Sequence, residues 1–293
     1  SHPFEYLSPL PSSTLHLPGA YIVIRDGNVD YQGGVSDENF ILMGSESGDH
    51  EFEIHTSRDG KTINLVPKVP FDLGEEVEVS LVDLPKTVGT IDFDWLFEIT
   101  PELIIPVAIE TEVTAARSFS DITIISQAQV GHYDAPIFTQ TKSATQGMSA
   151  YGLLNPDASG DPIFCSDGDS SPIGPDFKLN RNGLPTLWSN ADYVFWMLDP
   201  DLQFERSFNM VGGYVVDEHD FQIMPNGNYF LFAYDPQPFN MAEVVEGGDP
   251  EAVVEGFVVQ EFDYNDVLLL QWRSWDFLNV TDNENQTLTS GLL

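Results

Sequence analysis

The residues best suited to chemistry are Asp217-Glu218-His219-Asp220-Phe221. A histidine set among acids has two distinct uses. As a neutral imidazole it can act as a nucleophile or general base, with Asp217 or Asp220 accepting from one ring nitrogen and leaving the other for reaction. The same carboxylates favour the imidazolium electrostatically, which opposes nucleophilicity. In the alternative reading the histidine only locks strands by hydrogen bonds. A second candidate is Arg273, within Gln271-Trp272-Arg273-Ser274-Trp275-Asp276. Its guanidinium could receive an anion, or it could stack and pack between the tryptophans.

Other polar residues carry weaker signals. No cofactor is expected; Asp167 and Asp169, in the loop Cys165 to Pro172, are the residues that could help hold a structural calcium. They lack the ordered ligand spacing of an EF-hand, so a solvated loop is the simpler reading. Cys165 is the single cysteine and cannot form an intrachain disulfide, so an inert thiol is expected. His132 falls in the turn Gly131-His132-Tyr133-Asp134, while His50 and His55 read as sheet-surface residues. Asn279-Val280-Thr281 and Asn285-Gln286-Thr287 are glycosylation sequons, a pattern that also arises by chance.

The elements that must position these residues read as strands. Residues 217 to 223 predict one strand, Pro225-Asn226-Gly227 a tight turn, and Tyr229 to Phe232 a second, aromatic strand. Pro236 to Pro250 reads as a Pro/Gly/acid-rich insertion of the kind that forms lids and substrate loops. Before residue 100, short alternating runs such as Tyr21 to Arg25, Glu51 to His55, Glu76 to Leu81 and Phe93 to Phe97 are separated by Gly and Asp turns. About seven such runs predict a β-sandwich. Ser57-Arg58-Asp59-Gly60-Lys61-Thr62, Pro67 and Pro70-Phe71-Asp72-Leu73-Gly74-Glu75 resemble bacterial immunoglobulin-like modules of secreted and surface proteins.

After an extended connector near Thr100-Pro101, strands continue without 3.6-residue periodicity. Phe177 to Leu184 resembles Phe221 to Asn228, and their glycines are 227 − 183 = 44 residues apart. That spacing falls within the period of a four-stranded propeller blade. The expectation is therefore an all-β chain, with an immunoglobulin-like sandwich over 1–100 and propeller blades over 101–293.

The charge of −36, from 47 acidic and 11 basic residues, excludes nucleic acid and anionic lipid as charge-driven partners. No apolar run approaches the roughly 20 residues needed to span a bilayer. The chain opens at Ser1-His2-Pro3 without a leader pattern, as a mature or a trimmed protein would. An extracytoplasmic setting (secreted, periplasmic or cell surface) suits such an acidic surface.

Asp217 to Phe221 with Pro225-Asn226-Gly227-Asn228, then Gln260-Glu261-Phe262-Asp263, then Gln271 to Asp276, resemble the arylsulfotransferase family in order and spacing. The resemblance covers most of residues 1–282, and Gln271 to Asp276 is its most specific part. It implies a β-propeller, often with a small sandwich in front, that moves a sulfuryl group between phenols without an adenylated donor. His219 matches the family histidine and would carry the group as a sulfohistidine. Such a site needs a neutral imidazole nitrogen, cations for the sulfuryl oxygens and an acid for the departing phenolate. Asp217 or Asp220 would orient His219, and Arg273 is the nearest candidate cation. Family members carry a later histidine and basic residue, so the resemblance implies further blades beyond the about three expected here, since a propeller generally needs at least four. The expected partners are small aryl sulfates and phenols. A non-catalytic surface or adhesion protein is the alternative, with a surface glycan or protein as partner. Either reading admits a second copy of the chain.

Overall fold

Alternating apolar and polar residues build two facing sheets at the start of the chain. The structure, a computed structural model, describes residues 2–104, 137–143, 147–154, 162–166, 176–189 and 192–282. Its first strands are β1 (Tyr6–Ser8), β2 (Ile22–Arg25), β3 (Phe40–Gly44), β4 (Gly48–Asp49), β5 (Phe52–Thr56), β6 (Thr62–Pro67), β7 (Glu76–Pro85) and β8 (Thr90–Glu98). Next come β9 (Ile137–Ser143), β10 (Gly147–Leu154), β11 (Pro162–Ser166), β12 (Lys178–Leu179), β13 (Pro185–Ser189), β14 (Val194–Leu198), β15 (Phe204–Phe208) and β16 (Gln222–Ile223). The last are β17 (Tyr229–Phe239), β18 (Ala252–Phe262) and β19 (Leu268–Arg273), followed by the single helical turn α1 (Ser274–Phe277). The fold is all-β, as the strand pattern predicts.

The first eight strands pair as β1-β2-β6-β5 and β4-β3-β7-β8. This is the immunoglobulin order, with one strand added beside the third. Ile22, Ile24, Leu42, Ile63, Leu65, Val77, Val79 and Phe97 from both sheets share one core, each fully buried. The sandwich holds without a disulfide, so this apolar burial is its main support.

The contacts divide the chain into two compact units, and the division is not the one expected near residue 100. One unit joins 1–106 with 210–215 and 226–293, and the other comprises 107–209 with 216–225. The physical reason lies in the first unit's outer sheet face. In β2 the three residues Ile22, Val23 and Ile24 are all buried, and in β6 so are Thr62, Ile63, Asn64 and Leu65. Strands buried on every residue are covered on both faces. The side chain of Asn64 pairs with β19 as a strand would, accepting from Leu268 N at 2.9 Å and donating to Leu268 O at 2.8 Å. Arg58 N donates to Asp263 Oδ2 at 2.7 Å nearby.

Strands β17 and β18 run in register from Tyr229↔Phe262 to Phe239↔Ala252. Pro236 and Pro238 therefore lie in a strand, and the insertion expected over 236–250 shrinks to the connection 240–251. Proline is tolerated at such positions when its missing N–H faces away from the ladder, and residues two apart face the same way.

In the second unit, β9, β10 and β11 form one antiparallel sheet, and β12 to β15 form another in consecutive order. Phe195, Phe208 and Phe221 make its described aromatic centre, with ring centroids 4.8 Å apart from Phe221 to each of the others. The turn repeat is real at the backbone level. Asn182 Oδ1 accepts from Leu184 N at 3.1 Å, and Asn226 Oδ1 accepts from Asn228 N at 3.0 Å. Gly183 and Gly227 follow these asparagines at φ +84 and +88, a conformation that suits glycine.

Candidate functional site

The segment carrying His219 is not the strand its sequence suggests. Only Gln222–Ile223 forms one, and residues 217–221 are irregular. The reason is local competition, because Asp side chains offer the backbone an alternative to a ladder. Asp217 Oδ1 accepts from His219 N at 3.0 Å. His219 Nδ1 lies 3.0 and 3.1 Å from the two Asp217 oxygens. A carboxylate can only accept, so Nδ1 carries the proton and, in the neutral ring, Nε2 carries the lone pair. The His219 side chain is 71% exposed whereas that of Asp217 is 11% exposed, so the carboxylate is the fixed member of the pair.

Asp220 faces a different partner. Lys178 Nζ binds Asp220 and also Asp176 Oδ2, the latter at 2.7 Å. Gln222 Nε2 donates to both Asp220 oxygens at 2.7 and 3.0 Å. Burial works to raise Asp220, but Lys178 and Gln222 hold its carboxyl below the ordinary range. Asp176 goes the other way. Its carboxyl is pushed up to about 6, chiefly by burial and further by Asp220, against the pull of Lys178. Neither Asp176 nor Lys178 carries a sequence signal strong enough to single it out.

Arg273 sits elsewhere, inside the first unit, and is fully buried. Its Nε and Nη2 donate to Asp235 Oδ2 at 3.3 and 3.1 Å, and Nη1 donates to Asp276 Oδ1 at 3.1 Å. Nη2 also donates to Leu15 O at 2.6 Å, and Nη1 to Thr14 O at 3.3 Å. Burial opposes the guanidinium charge, but Tyr214, Asp235 and Asp276 hold its pKa above the ordinary value. Burial pushes the Asp235 and Asp276 carboxyls up. Every face of the guanidinium is used, so the expected role of Arg273 as a cation for sulfuryl oxygens gives way to architecture.

His16 completes this cluster. Its Nε2 is 2.6 Å from Ser13 Oγ, which itself donates to Leu10 O at 2.7 Å, so Nε2 is the donor. Nδ1 then accepts from Arg273 Nη1 at 3.1 Å. Burial and the adjacent Arg273 keep His16 neutral, well below the usual histidine range. The rest of the tryptophan-rich segment is structural too. Trp275 Nε1 donates to Asp235 O at 3.0 Å, Ser274 Oγ accepts from Phe257 N at 2.8 Å, and Gln271 Oε1 accepts from Gln260 Nε2 at 2.6 Å.

His55 is half-exposed on the sheet edge, as expected. His50, expected on a sheet surface, is buried instead. Its ring lies 4.5 Å from Phe71, and its Nε2 is 2.6 Å from Ser47 Oγ. Ser47 Oγ donates in turn to the buried Glu75 at 2.7 Å. His132, Asp167, Asp169 and Asn285 lie outside the described residues. Among the described residues no group of three or more His, Cys, Asp or Glu could hold a metal ion. Among them also, no helix is long and apolar enough to cross a membrane.

No protein-family model and no curated protein matches the chain. Similar solved structures include the N-terminal part of the bacterial S-layer protein SbsC, at 10% identity and TM-score 0.27, covering 53% of this chain and 43% of that one. An L,D-transpeptidase from Mycobacterium tuberculosis H37Rv is similar at 9% identity and TM-score 0.24, over 67% of this chain and 79% of that one. A DUF4784 family protein from Bacteroides caccae is similar at 9% identity and TM-score 0.27, over 93% and 72%. Likenesses at these scores carry no argument about fold or activity.

Proposed function

We propose that the chain is an extracytoplasmic, arylsulfotransferase-like protein in which His219 accepts a sulfuryl group from an aryl sulfate and passes it to a phenol. The observation that carries this reading is the Asp217–His219 pair, at 3.0 Å and with the histidine outermost. It lies in the segment whose sequence resembles that family. The Nε2 lone pair attacks sulfur, and the sulfur–aryl-oxygen bond breaks with its electrons leaving on the phenolate. The sulfated ring is cationic, and Asp217 offsets that charge through the Nδ1 proton, which stays in place. An acceptor phenol then attacks sulfur and the N–S electrons return to Nε2. The acceptor's proton balances the first phenolate.

The test is incubation of the chain with 4-nitrophenyl sulfate, with and without phenol. Expected are a sulfuryl adduct mapped to His219 and release of 4-nitrophenolate, with release falling about a thousandfold or more in His219→Ala. Unchanged release in that variant would overturn the assignment.

The burial of Arg273 favours a second reading, a non-catalytic surface or adhesion protein whose acidic faces bind a surface glycan or protein. The segment's own Asp217, Glu218 and Asp220, with Asp176 against Lys178, sum to a net negative charge that repels a sulfate ester. Absence of any adduct at high salt, where that repulsion is screened, would favour this scaffold role.

A further inference from the structure

Three alternate residues hold the segment that carries His219. Lys178 opens β12, Asp176 lies two residues before it with a left-handed backbone (φ 69), and Asn180 follows the strand, and the side chains of all three reach the segment 220–223. Asp176 Oδ2 accepts from Phe221 N at 3.1 Å. Lys178 Nζ binds the Asp220 carboxylate. Asn180 Oδ1 accepts from Ile223 N at 2.8 Å. Residues 217–221 have no strand ladder of their own, so the Asp176–Phe221 bond stands where a ladder bond would be. The ring of Phe221, fully buried between Phe195 and Phe208, anchors the far end of the segment.

We propose that Asp176 and Lys178 are positioning residues for His219, clamping residues 219–221 so that the His219–Asp217 pair keeps its orientation. This rests on, and deepens, the reading of His219 as a sulfuryl acceptor. The clamp carries its own pH signature. Asp176 faces Lys178 of β12 and Asp220 of the clamped segment, and its carboxyl is pushed up to about 6. Opening the segment exposes Asp176 to water and returns it toward its ordinary 3.8. A group raised in the closed state stabilises closure at low pH and loses that contribution as pH rises through the raised value. The clamp is therefore tightest near pH 4 and loosens toward pH 7, by up to about a hundredfold in the opening equilibrium for a difference of roughly two pH units.

The experiment is amide hydrogen exchange at residues 219–221, corrected for intrinsic rates, in the wild type, Lys178→Met, Lys178→Arg and Asp176→Asn. Lys178→Met is expected to lose protection about tenfold or more while Lys178→Arg stays near wild type. The pH dependence of the wild type is expected to exceed that of Asp176→Asn by up to about a hundredfold between pH 4 and pH 7, and equal dependences in the two proteins would overturn the pH signature. In the 4-nitrophenyl sulfate assay, Lys178→Met should lower kcat by about 10–100-fold with KM little changed, as misplacement of a reacting group does. Protection at 219–221 that is unchanged in Lys178→Met, with β13 and β14 intact, overturns the proposal. A wild type whose clamp behaves as expected but whose His219 is never sulfated overturns the catalytic reading alone.

Discussion

Replacing Arg273 with methionine separates architecture from chemistry. The variant keeps the volume of the side chain but removes the charge, leaving Asp235 and Asp276 with side chains 1% and 4% exposed. Thr14 O and Leu15 O lose their donor at the same time. Breaking a buried pair by removing one partner costs about 3–5 kcal/mol, mostly because the other charge is stranded. Two stranded carboxylates put the expected loss at the upper end. With a urea dependence of roughly 2 kcal/mol per molar, the unfolding midpoint of the first unit should fall by about 2 M. The sign of the pH dependence is fixed by burial. Asp235 and Asp276 already titrate above 3.8 in the folded state, so their contribution is present below that value and lost as pH rises through the raised values. Without Arg273 those values rise further, and the deficit of the variant widens from acid to neutral pH. The assay is urea unfolding followed by tryptophan fluorescence at pH 5 and pH 7.5. An unchanged midpoint together with lost sulfuryl transfer would refute this reasoning and return Arg273 to the site.

Two further substitutions probe the same unit. Gly256 lies opposite Asp235 in the β17–β18 pair, and a Cβ there would run into Trp275 Nε1 and stand 2.9 Å from Asp235 O. Gly256→Ala should therefore cost about 1–3 kcal/mol by overpacking, visible as a lower melting temperature, and an unshifted melt would show that Trp275 can yield. Glu75 accepts from Asp72 N at 2.6 Å, Ser47 Oγ at 2.7 Å, and Glu46 N and Ser47 N at 3.0 Å each. Burial would raise its carboxyl, but these donors hold it below its ordinary 4.5. Its contribution is thus present above pH 4.5 and lost as pH falls through the lowered value. Glu75→Gln turns an amide toward two of those donors and should cost about 2–3 kcal/mol at pH 7, less at pH 3. Equal losses at both pH values would contradict the ionised assignment.

Strand existence was legible because alternation is a local property. Phe93, Trp95 and Phe97 declare β8 by themselves, and Asn182-Gly183 and Asn226-Gly227 declare their turns. What covers a strand is not local. Thr62-Ile63-Asn64-Leu65 reads as alternating, yet Asn64 is buried because its amide meets the backbone of Leu268, 204 residues away. The same distance hides the partners of Arg273, since nothing in Thr14-Leu15-His16 announces a binding face for a guanidinium. Pro236 and Pro238 misled for a different reason. Proline argues against a central strand, but only the side of β17 that its N–H would face decides the matter.

The tryptophan-rich segment bears on function through what it does not do. Gln271, Arg273, Ser274, Trp275 and Asp276 each bond within the first unit, to Gln260, Asp235, Phe257 or one another. A segment can be the most recognisable part of a chain because many distant partners constrain it at once, and that constraint is one of packing. Its resemblance to the arylsulfotransferase family therefore carries no argument for the chemistry. His219 is different in kind: its side chain is largely exposed, its ring is set by Asp217, and its backbone segment is clamped from Asp176, Lys178 and Asn180. Fixing an exposed ring this firmly does nothing for a core. The weight of the functional proposal thus rests on residues 217–221 and their clamp, and not on the Arg273 cluster.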